Sequence, residues 1–262
     1  MFSLSANLEY MFHEAGDALS QRIEMAAACG INKVEVFAVP PAQTAQVAGA
    51  LEKHNVTLHT MLVDPRIMLV LEDTHDKFIE TVEQTAQQAK ALGCKHLVCG
   101  SGTGAPFLNR QASLAVVCKA IGRAAEVAEK HGLTLLLEAV NTRVDHPGVF
   151  FSHTSDTLHV AKTLNRDSVK VLYDIYHSLA EGEDVAATLE QAKDHIGHIQ
   201  IADFPGRHEP GAGSVDWRNM LQLIKNSGYR GAIGVECYPS VATSQALQFI
   251  REQITAFNKE AV

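Results

Sequence analysis

Four times along the chain an amphipathic segment closes on a glycine and gives way at once to a β-branched run. The junctions are AAACG before INKVEVFAV, AKALG before CKHLVCGSG, AEKHG before LTLLLEAV, and IKNSG before YRGAIGVE. A glycine just past a helix supplies the left-handed residue that stops it, and the valines and isoleucines behind it favour a strand. Each unit is therefore one helix-to-strand step, and alternation of such steps implies a parallel sheet covered by helices. The weaker runs, placed in the same alternation, predict strands near residues 3–8, 33–39, 57–63, 95–100, 134–140, 170–175, 197–202 and 232–237. Helical stretches include 17–29, 75–92, 113–131 and 185–195, with a closing helix near 244–258. Eight units in 262 residues, with no linker, match a single (β/α)8 TIM barrel over 1–262, whereas a doubly wound sheet more often has about five to seven strands.

Polar side chains stand where these strands end. Glu138 closes TLLLE, Asp174 follows KVLY, Gln200 lies in HIQIAD and Glu236 in GVECYP. An unpaired carboxylate on a strand that is otherwise dry costs several kcal/mol, so it needs a metal, an arginine or a raised pKa. An ion pair with a neighbouring Lys or Arg explains one such residue; three at matching strand ends point instead to a shared cation. With the neutral carbonyl of Gln200 they form an oxygen-rich set suited to Mg²⁺ or Mn²⁺, and Co²⁺ and Zn²⁺ bind such sets too. The long connections DPRIMLVLEDT, GSGTGAPFLNR, NTRVDHPGVFFSHT and DFPGRHEPGAGSVDW all fall on the same rim, where a TIM barrel places its pocket.

Several further residues are expected near that rim. His177 reads as a hydrogen-bond partner of a substrate hydroxyl or carbonyl, against the alternative of a surface loop histidine. Arg207, between the prolines and glycines of PGRHEPGAG, either clamps a carboxylate or polarises a substrate oxygen, or simply pairs with Glu209. Asn7, Glu9 and His59 are rim candidates as well, while His198, two residues before Gln200, reads as a core histidine one layer deeper. GSGTGAP lacks the GxGxxG order and a following lysine, so it reads as a turn-rich connection and not a phosphate cradle.

The formal charge of −8, from 30 acidic and 22 basic residues without long runs, offers no basic stripe to nucleic acid or anionic lipid. A small, diffusible substrate is the expected partner. There is no basic n-region at the start and no uninterrupted apolar run of about 18 residues, so no membrane association and a cytoplasmic location are expected. Five cysteines without CxxC spacing suggest buried free thiols. Oligomeric state is not written in the chain, and a homo-oligomer is left open.

Together FSLSANLEYMF, LLLEAVNTR, LYDIYH, GHIQIADFPGRHEPGAG and GYRGAIGVECYP resemble the hydroxypyruvate isomerase family, within the xylose isomerase-like TIM barrels that also include the ketose 3-epimerases. The resemblance implies that Glu138, Asp174, Gln200 and Glu236 are metal ligands, that Glu138 and Glu236 also transfer the proton, and that His177 and Arg207 hold substrate. It implies proton transfer between C2 and C3 of a hydroxy-carbonyl acid such as hydroxypyruvate, through an enediolate stabilised by the metal. The sequence departs from the family in the stretch MLVDPRIMLVLEDTHDKF, which is shorter and more apolar than the usual Gly- and Arg-containing loop; Arg66 stands where an arginine is otherwise missing. Epimerisation of a ketose at C3 and loss of water from an inosose-like substrate use the same cage. An endonuclease IV-like phosphodiesterase needs additional His and Asp ligands and a basic face, and a non-catalytic binding protein would retain ligand without turnover.

Overall fold

The computed structural model describes residues 2–260. Eight strands, β1 (Ser3–Asn7), β2 (Lys33–Val36), β3 (Thr57–Leu62), β4 (His96–Cys99), β5 (Thr134–Glu138), β6 (Val169–Asp174), β7 (Ile196–Ile201) and β8 (Ala232–Val235), close into one barrel in sequence order. Every neighbouring pair is parallel, including β1 with β8. The helices around them are α1 (Leu19–Ala28), α2 (Thr44–His54), α3 (His75–Ala91), α4 (Arg110–His131), α5 (Thr154–Leu164), α6 (Ile175–Glu181), α7 (Val185–Ala192), α8 (Trp217–Asn226), α9 (Thr243–Ala246) and α10 (Gln248–Glu260). The expected closing helix is thus two helices that meet at Leu247, and β2, β4 and β8 stop one to three residues short of the expected runs. Among the described residues no helix is long and apolar enough to cross a membrane.

Period-2 alternation gives the two faces of the barrel different contents. Leu135 and Leu137 on β5, Val171 and Tyr173 on β6, and Ile199 and Ile201 on β7 face the helices in the main core. Leu136, Leu172 and Val98, with Leu62 against them, form a separate cluster inside the barrel. The rest of the barrel interior is polar: Ser5, Glu35, Thr60 and His198 are all buried there. Gly234 on β8 makes room for this group, because a Cβ at that position would collide with Glu35 Oε1 and His198 Nε2. Gly234→Ala is therefore expected to cost about 1–3 kcal/mol of stability by overpacking, read as a lower denaturation midpoint in urea with an unchanged m-value.

Register brings the strand ends level. Glu138 pairs with Leu172, Asp174 with Gln200 and Gln200 with Gly234. Glu236 lies one residue past β8, where its N–H still donates to Ile201 O at 3.0 Å. The sheet thus delivers the four polar side chains to one rim on four consecutive strands.

Candidate active site

Over the C-terminal ends of the strands lies a cavity of about 370 Å³, into which Asn7, Glu138, His177, Gln200, Arg207 and Glu236 all project. Asp174 is buried beside it, and Glu138, Asp174 and His177 each bring one donor atom within 4.8 Å of the others. His59 belongs elsewhere, contrary to the sequence expectation. It sits three residues before the end of β3, with its ring 4.7 Å from that of His198 and 5.0 Å from that of His96, while Leu62 occupies the rim. Glu9 is exposed and does not line the cavity.

Asp174 does two jobs at the end of β6. Its Oδ1 caps α6, accepting from the N–H groups of Tyr176 at 2.8 Å and His177 at 3.3 Å, which satisfies donors that a helix start leaves open. Its Oδ2 is buried without a hydrogen-bond partner, and so is Gln200 Oε1. Glu236 is more engaged: Oε2 accepts from Asn7 Nδ2 at 2.8 Å and Gln200 Nε2 at 2.7 Å, and Oε1 accepts from Arg207 Nη2 at 2.6 Å. Three donors on a carboxylate with about four lone-pair sites leave it one more.

Arg207 pairs with Glu236 and does not pair with Glu209, whose carboxylate accepts from the N–H and hydroxyl of Ser240. Its Nη2 also stands 3.8 Å from Asp174 Oδ2, and its guanidinium lies against the rings of Tyr10, Tyr176 and Tyr238 at 5.1–5.8 Å. The residue holds φ at 56°, in the left-handed region, at a cost of about 1 kcal/mol or more. Asp203, fully buried just past β7, ties this loop down. Its carboxylate accepts from the N–H groups of Phe204, Gly211 and Val215 and from Trp217 Nε1.

His177 is fixed in one tautomer. Asn141 donates to Nδ1 from its Nδ2 at 2.7 Å and from its backbone N–H at 3.3 Å, while its own Oδ1 accepts from Val144 and Asp145 N–H. With Nδ1 an acceptor, the ring proton sits on Nε2, which faces Glu138 Oε1 at 3.9 Å and Asp174 Oδ2 at 3.8 Å. Burial, then the charges of Arg207 and His146, hold His177 well below the usual histidine pKa and keep it neutral. His177 therefore presents a donor, not a metal-binding lone pair, at the edge of the carboxylates.

The carboxylates are raised together. Burial lifts Glu138 well above the usual range, reinforced by the charges of Glu236 and Asp174. Burial also lifts Asp174, against the pull of Arg207, and lifts Glu236 to about 7, opposed by Arg207 and reinforced by Asp174. Three buried acids facing one guanidinium are short of positive charge. The donor set fits a hard divalent cation: Glu138, free of hydrogen bonds among the described residues, the orphaned oxygens of Asp174 and Gln200, and the remaining lone pair of Glu236.

A pH dependence follows. Glu236 titrates near 7 when folded against 4.5 as a free group, so between those values the folded, metal-free protein holds a proton that the unfolded chain releases. Its contribution to metal-free stability is present below about 4.5 and lost as pH rises through about 7. A divalent ion competes with that proton, so the rise in melting temperature on adding Mn²⁺ is expected to be larger at pH 8 than at pH 5.5. Equal shifts in differential scanning fluorimetry would contradict it.

Residues 23–253 match the model of the xylose isomerase-like TIM barrel family. The chain belongs to that family. Within it, hydroxypyruvate isomerase of Escherichia coli (strain K12) is 31% identical over 258 residues, covering 95% of this chain and 98% of its own length. The 2-oxo-tetronate isomerase of Cupriavidus necator is 29% identical over 254 residues, covering 94% and 96%. The crystal structure of an AP endonuclease, family 2, from Brucella melitensis has a TM-score of 0.88 at 30% identity, covering 96% of this chain and 99% of that one. The curated relatives place this xylose isomerase-like barrel among isomerases.

Two features of the candidate site escape a reading of the sequence. Glu35, on β2, is fully buried and reaches Gln200, and Asn141 sets the tautomer of His177. The signal for Glu35 was a carboxylate inside the apolar run KVEVFAV, the same anomaly that marks Glu138, but in mid-strand and not at an end.

Proposed function

We propose that this chain is a metal-dependent isomerase of a small hydroxy-carbonyl acid, moving a proton between C3 and C2 of hydroxypyruvate to give tartronate semialdehyde. The observation that carries the reading is the pair Glu138 and Glu236. Both are raised carboxylates on the cavity wall, and they flank the orphaned oxygens of Asp174 and Gln200. Glu138, Asp174, Gln200 and Glu236 would hold Mg²⁺ or Mn²⁺. When bound, the ion supplies electrophilic stabilisation, of several kcal/mol, to negative charge developing on the substrate's adjacent oxygens. One glutamate takes the proton from C3 and the other returns a proton to C2, while the hydroxyl proton passes from the C3 oxygen to the C2 oxygen; carboxyls raised by burial suit the proton transfers at carbon. His177 Nε2–H donates to a substrate oxygen, Arg207 holds Glu236 and faces substrate, and Asn7 fixes the second oxygen of Glu236. A cytoplasmic setting agrees with five unpaired cysteines.

Cavity size favours a second substrate of the same class. About 370 Å³ falls in the range that accepts ligands well beyond a three-carbon acid. Arg66, exposed on the cavity lip with its stem against Gly100, has no hydrogen-bond or ion-pair partner among the described residues and would meet the carboxylate of a longer acid. A four-carbon 2-oxo acid, as in the name of the Cupriavidus relative, fits this arrangement.

The test is a panel of hydroxypyruvate, four-carbon 2-oxo acids and ketoses in D₂O, followed by ¹H NMR after elemental analysis of the purified protein. Isomerisation with deuterium entering at the carbon that receives the proton is expected for an acid. Epimerised ketose would move the assignment to a 3-epimerase, and loss of water to a lyase. Full exchange by chelator-treated, metal-free protein would overturn the metal-dependent scheme.

A further inference from the structure

Glu35 is the buried carboxylate that the proposed reaction leaves unused. Four donors converge on it: the hydroxyls of Ser5 and Thr60, His198 Nε2 at 2.9 Å and Gln200 Nε2 at 2.8 Å. A carboxylate offers about four lone-pair sites, so Glu35 has none left for an ion or a substrate. Its effect on the site has to pass through one of those four donors, and of them only Gln200 stands among the strand-end oxygens.

The amide of Gln200 has two N–H bonds, and both are taken. One goes to Glu35 Oε2 at 2.8 Å and the other to Glu236 Oε2 at 2.7 Å. Turning the amide over would set its carbonyl oxygen against two carboxylate oxygens at those distances. The NH₂ end is therefore pinned, and Oε1 faces away from both carboxylates, buried and without a partner. The two pins differ. Glu236 is itself a proposed ligand, whereas Glu35 is held by three other donors and given room by Gly234.

We propose that Glu35 is a positioning residue which locks the amide of Gln200 so that its carbonyl oxygen, and not its NH₂ group, is presented to a divalent cation. The inference rests on the metal-dependent reading above and adds to it a residue from the far side of the barrel, on a strand that supplies no ligand. A purely structural role, as half of an interior ion pair with His198, predicts a different pattern: a loss that is the same whether or not Gln200 is present.

A double-substitution cycle separates the two, with Mn²⁺ as the probe and its free fraction read by electron paramagnetic resonance. Glu35→Ala is expected to weaken Mn²⁺ binding about 10–100-fold, the usual reach of a residue that orients a metal ligand. Gln200→Ala should weaken it comparably, and the double variant should match Gln200→Ala to within about twofold, because the route through Gln200 is already gone. Losses that multiply in the double variant, or no loss in Glu35→Ala, would overturn the proposal while leaving the metal site standing. If Glu35→Ala does not fold, Glu35→Gln keeps the volume and enters the same cycle with the same two outcomes. An unsubstituted protein that binds no Mn²⁺ would overturn the metal reading itself, and this inference with it.

Discussion

Glu138→Gln and Glu236→Gln are each expected to lower turnover of the isomerised acid by about 10²–10⁴-fold, the range for removing a positioned acid or base. Glutamine keeps the volume and one oxygen, so the fold and some metal binding survive while the titratable proton is lost. The two variants should differ in kind. The carboxylate of Glu138 is free of hydrogen bonds among the described residues, so its replacement leaves no buried donor stranded. Glu236 accepts from Asn7, Gln200 and Arg207, so its replacement removes the counter-charge of a buried guanidinium and also lowers stability. Single-turnover measurements of deuterium entry in D₂O distinguish loss of proton transfer from loss of binding. Full turnover in both variants would remove the glutamate pair from the mechanism.

Arg207→Ala carries the largest expected loss of stability in the metal-free protein, about 3–5 kcal/mol, because it leaves Glu236 buried without its ion-pair partner. It also strips the rings of Tyr10, Tyr176 and Tyr238 of the guanidinium packed among them. Arg207 draws the pKa of Glu236 down, so in the variant that carboxyl should titrate still higher and the optimum for activity should move to higher pH. A divalent cation replaces part of the missing charge. Urea denaturation should therefore show a smaller deficit with Mn²⁺ than with chelator. Arg207→Lys restores the charge but not the planar fork that lies against the rings, and should fall between the two. Equal deficits with and without Mn²⁺ would mean that Arg207 and the cation do not share these carboxylates.

Much of the barrel was legible because its signals are local. A glycine that stops a helix and a valine-rich run behind it are neighbours in sequence, and a carboxylate closing an apolar strand announces itself. Glu138, Asp174, Gln200 and Glu236 were found this way, and the register of β5 to β8 does bring them level. The misplaced residue, His59, shows the limit of that reasoning: strand membership was right, but three residues of rise separate it from the end of β3, and only the closed barrel shows that Leu62 takes the rim. Glu35 and Asn141 lay beyond reach for a different reason. Their partners are 165 and 36 residues away along the chain, and no spacing rule connects β2 to β7 before the sheet has closed. Arg207 was a site candidate with its partner open, since choosing Glu236 over the nearby Glu209 takes the fold of the loop to bring it back over the barrel.

The knot at Asp203 divides the loop that follows β7 into two parts with different freedom to change. The carboxylate grips Phe204 at the start and Gly211, Val215 and Trp217 at the end, so Arg207 is held from a closed base rather than from the residues at the tip. Side-chain changes at the exposed His208 leave that base intact, so the guanidinium keeps its station over Glu236, whereas Gly213 belongs to the base, since a Cβ there would meet Asp203 Oδ1 and Phe204 O. Variation is then tolerated by single steps at His208, and a change at Asp203 itself closes that route by releasing the arginine along with the loop.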